Sequence, residues 1–269
     1  MSNEIQHDAG YETIRVTHAQ RIATVTLARP EVRNAFNETM IAELTAAFVA
    51  LDAHDGTRAV VLAAEGPAFC AGADLNWMRK MAGYSDDENR ADAQRLARML
   101  EAVYRCGKPV IARVQGDAYA GGVGLVAACD IAIAAEPARF CLSEARLGLI
   151  PATIAPYVVR ALGERASRRY VLTAEVFDSA RAAQLGLIHE AVAADALDAT
   201  VGQLAEGLCA NGPDAVRAGK RLVADMAGRA LDDALIDDTA DRIAATRAGA
   251  EAREGIAAFL EKRTPAWRA

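Results

Sequence analysis

Two apolar runs, Arg58-Ala-Val-Val-Leu-Ala-Ala64 and Pro109-Val-Ile-Ala-Arg-Val114, read as buried strands, and a loop nearly free of bulky side chains follows each. The loops are Phe69-Cys-Ala-Gly-Ala-Asp-Leu75 and Tyr119-Ala-Gly-Gly-Val-Gly-Leu-Val126, the second leading into an Ala/Leu/Val stretch that reads as a helix. Backbone without large side chains beyond a strand end can bring its N–H groups close to a ligand oxygen. Two such N–H groups, one from each strand, are the parts of an oxyanion hole.

The rest of the chain reads as an α/β core followed by helices. Glu12-Thr-Ile-Arg-Val-Thr17 and Ile22-Ala-Thr-Val-Thr-Leu27 alternate and are joined as a hairpin through His18–Arg21. Asn37 is placed to N-cap a helix carrying Met40, Ile41, Leu44, Phe48 and Leu51 on one face. Ser85 with Glu88 has the spacing of a capping box. Strand and helix then recur to about residue 190, and from Ala194 onward the pattern is helical, broken at Asn211-Gly-Pro213. This divides the chain into a core over residues 1–193 and a helical region over 194–269.

At 269 residues and 52% hydrophobic content, the chain can bury a large core. A net charge of −6 argues against nucleic acid as a partner. The polar start and the lack of any apolar run of 18 or more residues argue against a secretory leader and a membrane span. Five scattered cysteines (Cys70, Cys106, Cys129, Cys141, Cys209) read as reduced thiols, which makes the cytoplasm the expected compartment. No His/Cys/carboxylate cluster has metal-ligand spacing, and Gly121-Gly-Val-Gly124 lacks the order of a nucleotide loop.

Seven segments in order carry a resemblance: Arg29–Asn37, Phe69–Leu75, Lys108–Ala112, Gly116–Asp130, Phe140–Pro151, Gly186–Glu190 and Phe259–Arg263. Across nearly its whole length the chain resembles the enoyl-CoA hydratase/isomerase (crotonase) family. The resemblance implies a spiral of repeated β-β-α units with a C-terminal helical trimerisation region. It also implies a homotrimer or hexamer acting on an acyl-CoA thioester, with coenzyme A as part of the substrate and no permanently bound cofactor. By motif position the oxyanion donors are the backbone N–H groups of Ala73 and Gly121, and Glu144 is the proton-transferring acid or base. Its apolar surroundings, Phe140, Leu142, Ala145 and Leu147, would raise its pKa; pairing with Arg146 is the competing role. The resemblance sets coenzyme A along Arg33, Ala35, Ala71, Ala73, Asp74 and Leu75, with Asp74 bracing the loop. Phe259 and Lys262 match positions that reach coenzyme A from a neighbouring subunit.

One position departs from the family pattern. Two-glutamate hydratases carry a carboxylate three residues after the oxyanion glycine, where this chain has Gly124. Glu144 then works alone, or an acid such as Asp117, Asp86, Asp87 or Glu88 joins it; a glycine here could also make room for a bulky acyl group. The loop sequences resemble a bacterial branch associated with methylglutaconyl-CoA or isohexenylglutaconyl-CoA, implying hydration of a branched enoyl-CoA. Arg79, Lys80 and Arg146 are candidate partners for a second carboxylate on such a substrate, and Trp77, Met78 and Met81 are candidate pocket walls. The alternatives are an isomerase that shuttles one proton with a single glutamate, and a non-catalytic acyl-CoA-binding subunit.

Overall fold

The computed structural model describes residues 6–8 and 10–268. Its chain opens with β1 (Gln6–Asp8), β2 (Ile14–Ala19) and β3 (Ile22–Leu27), an antiparallel meander closed by Gln20-Arg21, with Gln20 at φ 56°. β2 starts two residues later than its alternation suggests. The N–H groups of Glu12 and Thr13 are taken by the Glu43 carboxylate at 2.6 and 2.8 Å, so they are not free for a ladder. Helix α1 (Glu38–Ala53) begins where Asn37 accepts the Met40 N–H at 2.8 Å, and it buries all five of the apolar residues that mark its face.

Three β-β-α units follow. The first is β4 (Ala59–Ala64), β5 (Ala68–Cys70) and the helices α2 (Leu75–Met81) and α3 (Asp86–Arg105), with the Ser85/Glu88 capping box formed. The second is β6 (Val110–Val114), β7 (Asp117–Tyr119) and α4 (Gly121–Ala128). The third is β8 (Ile131–Ala135), β9 (Arg139–Cys141) and α5 (Ala155–Thr173). The first strand of each unit joins a seven-stranded sheet, parallel from β3 onward, which β11 (Glu190–Val192) completes. The second strands stack side by side as the parallel part of a four-stranded sheet, edged by β10 (Phe177–Asp178), which leads into α6 (Ser179–Leu185). This is the mixed α/β spiral that the resemblance implies.

Strands covered on both faces explain the unbroken apolar runs. Along β4, Val60, Leu62 and Ala64 enter the larger core while Val61 and Ala63 face a smaller one. That smaller core is closed by Leu197, Val201 and Ala205 of α7 (Leu197–Cys209). Beyond it run α8 (Pro213–Met226), α9 (Asp233–Ala248) and α10 (Ala250–Leu260). These three bury little: only Leu235 on α9 and Ala258 on α10, and no residue on α8. Among the described residues, no helix is long and apolar enough to cross a membrane.

Candidate active site

The pairing of β5 with β7 sets the two small-residue loops next to each other. Phe36 reinforces the first loop: its N–H donates to Gly72 C=O at 2.7 Å and its C=O accepts the Asp74 N–H at 2.8 Å. Between those bonds lies Ala73, whose N–H has no partner among the described residues. Gly72 sits at φ +92°, and a Cβ built on it would lie 3.0 Å from Ala120 Cβ and 3.9 Å from Gly121 N, so the loops touch here. The Gly121 N–H, first in α4, also has no partner among the described residues. Two unpaired backbone donors thus stand on touching loops, which is what an oxyanion hole requires of the backbone.

Ala120, the residue before Gly121, is a strained position that sequence reading missed. It holds φ 48° and ψ −117°, a conformation strained for any residue with a Cβ. Its own N–H is fixed to Cys141 C=O at 2.8 Å, so the chain turns sharply from β7 into α4 at this point. Nothing in an Ala-Gly-Gly string marks the alanine as the residue under strain.

The bond from Ala120 to Cys141 also ties this turn to the segment carrying Glu144, which opens a single 3₁₀ turn three residues beyond Cys141. The turn closes on Gly148 at φ 72°, and Leu149 N–H bonds Glu144 C=O at 3.1 Å. Glu144 Oε2 is buried without a hydrogen-bond partner. Burial therefore raises the carboxyl above the usual Glu value, only partly offset by its own backbone N–H. Arg146 does not pair with it; its guanidinium donates to Ala174 C=O.

A cavity of about 480 Å³ opens beside the first loop. Arg33, Ala35, Ala71, Ala73, Asp74 and Leu75 all line it, as do Asn76 and Arg79. Asp74 N-caps α2 by accepting Asn76 and Trp77 N–H groups at 2.8 and 3.3 Å, and it pairs with Arg29 at 2.9 Å. Burial opposes its charge, but the Asn76, Arg29 and Trp77 bonds outweigh that and hold the carboxyl below the usual Asp range. Arg29, which also donates to Ala35 C=O at 2.7 Å, is a second residue to which sequence reading gave no role. Gly121 and Glu144 do not line this cavity, nor do Phe259 and Lys262. Phe259 is 83% exposed at the end of α10, and Lys262 follows at φ 55°.

Several side candidates fall away. Gly124 leaves no room for an acyl group: a Cβ on it would lie 2.1 Å from Ile154 Cγ2, so the chain's own Ile154 fills that space. Asp117 accepts the Arg139 N–H at 3.1 Å, Glu88 is spent in its cap, and Asp86 and Asp87 are exposed. Arg79 bonds Asn76 at 2.7 Å and Lys80 pairs with Glu38. Trp77 packs into the main core with Nε1 buried and unpartnered, and Met81 packs against it; no pocket wall is formed by either in the cavity described. Cys70 is fully buried and burial pushes its thiol up to about 12, which opposes formation of the thiolate a nucleophile needs. Among the described residues, no group of three or more His, Cys, Asp or Glu could hold a metal ion.

The sequence pattern of the enoyl-CoA hydratase/isomerase family matches residues 17–269. An enoyl-CoA hydratase from Shewanella pealeana is 42% identical, superposes with a TM-score of 0.94 and covers 97% of both chains. Pseudomonas aeruginosa AtuE is 37% identical at TM-score 0.91, over 96% of this chain and 100% of its own. The mevalonyl-coenzyme A hydratase sidH of Aspergillus fumigatus is 34% identical over 92% of this chain and 91% of its length.

Proposed function

The chain belongs to the enoyl-CoA hydratase/isomerase family, and on that premise we propose that it adds water across the double bond of a 2-enoyl-CoA with Glu144 as its single acid–base group. The observation that carries this reading is the buried, unpartnered Glu144 Oε2 on the segment tied to the turn that presents Gly121 N–H. In this reading the thioester oxygen accepts hydrogen bonds from Ala73 and Gly121 N–H. Those bonds strengthen as enolate charge develops, so they favour the transition state over the ground state. Glu144 takes a proton from the attacking water and returns one to Cα, and its raised pKa suits a group that must both accept and donate near neutral pH. Coenzyme A lies along the cavity lined by Arg33, Ala35, Ala71, Asp74 and Leu75. Phe259 and Lys262 reach the coenzyme A of a neighbouring subunit in a homotrimer or hexamer.

For the acyl group, we favour a branched chain such as methylglutaconyl. Similarity to sidH, whose name gives it a mevalonyl thioester, supports that choice. A salt bridge to a second substrate carboxylate is not part of the reading, since Arg79, Lys80 and Arg146 are all engaged within the chain.

Isomerisation is the second reading, and the Gly124–Ile154 contact favours it, because position 124 supplies no carboxylate to hold a water. A panel of linear and branched enoyl-CoA thioesters, assayed in deuterated water, separates the two. Gain of one water supports hydration. Double-bond migration without gain of water, with deuterium exchanged in at Cα, points to isomerisation. Tight binding with neither outcome marks a non-catalytic acyl-CoA-binding subunit.

A further inference from the structure

Phe36 touches both of the loops that carry an unpaired donor. Its backbone engages the first. The Gly72–Ala73 peptide is planar and trans, so its C=O and the Ala73 N–H point in opposite directions. Phe36 N–H holds that C=O at 2.7 Å and thereby fixes the plane in which Ala73 N–H lies. Phe36 C=O takes the following N–H, that of Asp74, at 2.8 Å.

The ring of Phe36 engages the second loop. A Cβ built on Gly121 would lie 2.6 Å from Phe36 Cε2 and 3.0 Å from Cδ2, so the ring edge occupies the space of a side chain at 121. The Ala120–Gly121 peptide is anchored from its other end by α4, where Ala120 C=O accepts the Val123 and Gly124 N–H groups at 3.0 and 3.3 Å. The ring therefore limits movement of Gly121 toward Phe36. Phe36 itself has little freedom, being 1% exposed within the main core. The Arg29 guanidinium holds the preceding C=O of Ala35 at 2.7 Å, and the following Asn37 caps α1 through Met40 N–H at 2.8 Å. A rigid residue in contact with both donor peptides fixes one relative to the other, which is what preorganised donors need.

We propose that Phe36 is a positioning residue of the oxyanion hole. Its backbone orients Ala73 N–H, and its ring sets the spacing to Gly121 N–H so that both reach one thioester oxygen. This rests on the oxyanion reading given above, and it holds equally for hydration and isomerisation, since both place charge on that oxygen.

The test reads the C=O stretch of a bound saturated acyl-CoA, which falls in frequency as its oxygen accepts hydrogen bonds and is not confused by turnover. Phe36→Leu keeps the backbone bonds and most of the core volume but has no ring edge. Its carbonyl shift should be smaller than that of the wild type. On an enoyl-CoA substrate its kcat should fall about tenfold or more, with thioester affinity kept within about threefold. Wild-type kcat and carbonyl shift in Phe36→Leu overturn the proposal, as does a loss confined to melting temperature and affinity. Gly121→Ala probes the contact from the other side with the core residue unchanged. Its methyl group meets the ring, so kcat and the carbonyl shift should both fall, and adding Phe36→Leu should recover part of each. Wild-type kcat in Gly121→Ala overturns the proposal even where Phe36→Leu does not fold, and so do two substitutions whose effects simply multiply. Glu144→Gln should keep the full carbonyl shift whatever its rate, so the acid–base assignment can fail alone. A stretch that does not move when the wild type binds the thioester removes the oxyanion reading and this proposal with it.

Discussion

Glu144 combines two properties that seldom coexist in a residue kept for packing: a buried oxygen with no partner, and a pKa moved up by that burial. A carboxyl whose pKa rises on folding binds more protons folded than unfolded. Stability therefore falls as pH climbs from the ordinary carboxylate value through the raised one. Glu144→Gln removes that penalty. Its melting temperature should exceed that of the wild type at about pH 8 and match it at about pH 4, as thermal melts at both values would show. At Gly124 the structure reverses the expectation formed from sequence. Gly124→Glu cannot add a second catalytic acid, because its Cβ meets Ile154 at 2.1 Å. The substitution should lower the melting temperature and depress hydration of crotonyl-CoA and methylglutaconyl-CoA alike, at an overpacking cost of about 1–3 kcal/mol before the buried charge is counted. Adding Ile154→Ala should restore part of the melting temperature, and a double variant no better than the single one would place the strain elsewhere.

At the scale of elements, the first loop is held by Asp74, which ends that loop and starts α2 in the same side chain. Asp74→Ala leaves the Asn76 and Trp77 N–H groups and the Arg29 guanidinium without their acceptor. A loss of about 1–2 kcal/mol is expected. The cavity proposed for coenzyme A shares this loop, so KM for the thioester should rise more than kcat falls, which steady-state kinetics would read directly. The caps at Asn37 and Ser85 were legible in the sequence because capping is local chemistry within three residues, whereas Asp74 was read only as bracing its loop and not as the cap of α2. The two small-residue loops were legible for the same reason. The four-stranded sheet was not, since β5, β7, β9 and β10 are two or three residues each and too short to show a period. The strain at Ala120, the Arg29–Asp74 pair and the seating of Ile154 on Gly124 depend on residues 30 to 45 positions apart, or on a turn that alanine does not announce.

For the whole molecule, the C-terminal helices leave Ile236, Ile243, Ile256, Phe259 and Leu260 exposed, which suits the proposed association with other subunits. Sedimentation should give a mass of three or six chains. Phe259→Ala should weaken thioester binding if that residue completes a neighbour's site, and leave it unchanged if it does not. The assignment of the reaction rests on Glu144. It is tested by mixing a 2-enoyl-CoA with wild-type protein and with Glu144→Gln, then following loss of the conjugated double bond and the mass of the product. The expected result is gain of one water by the wild type and a rate about 10²–10⁴-fold lower in the variant, with thioester affinity preserved. Retention of more than about a tenth of the wild-type rate by Glu144→Gln would contradict it.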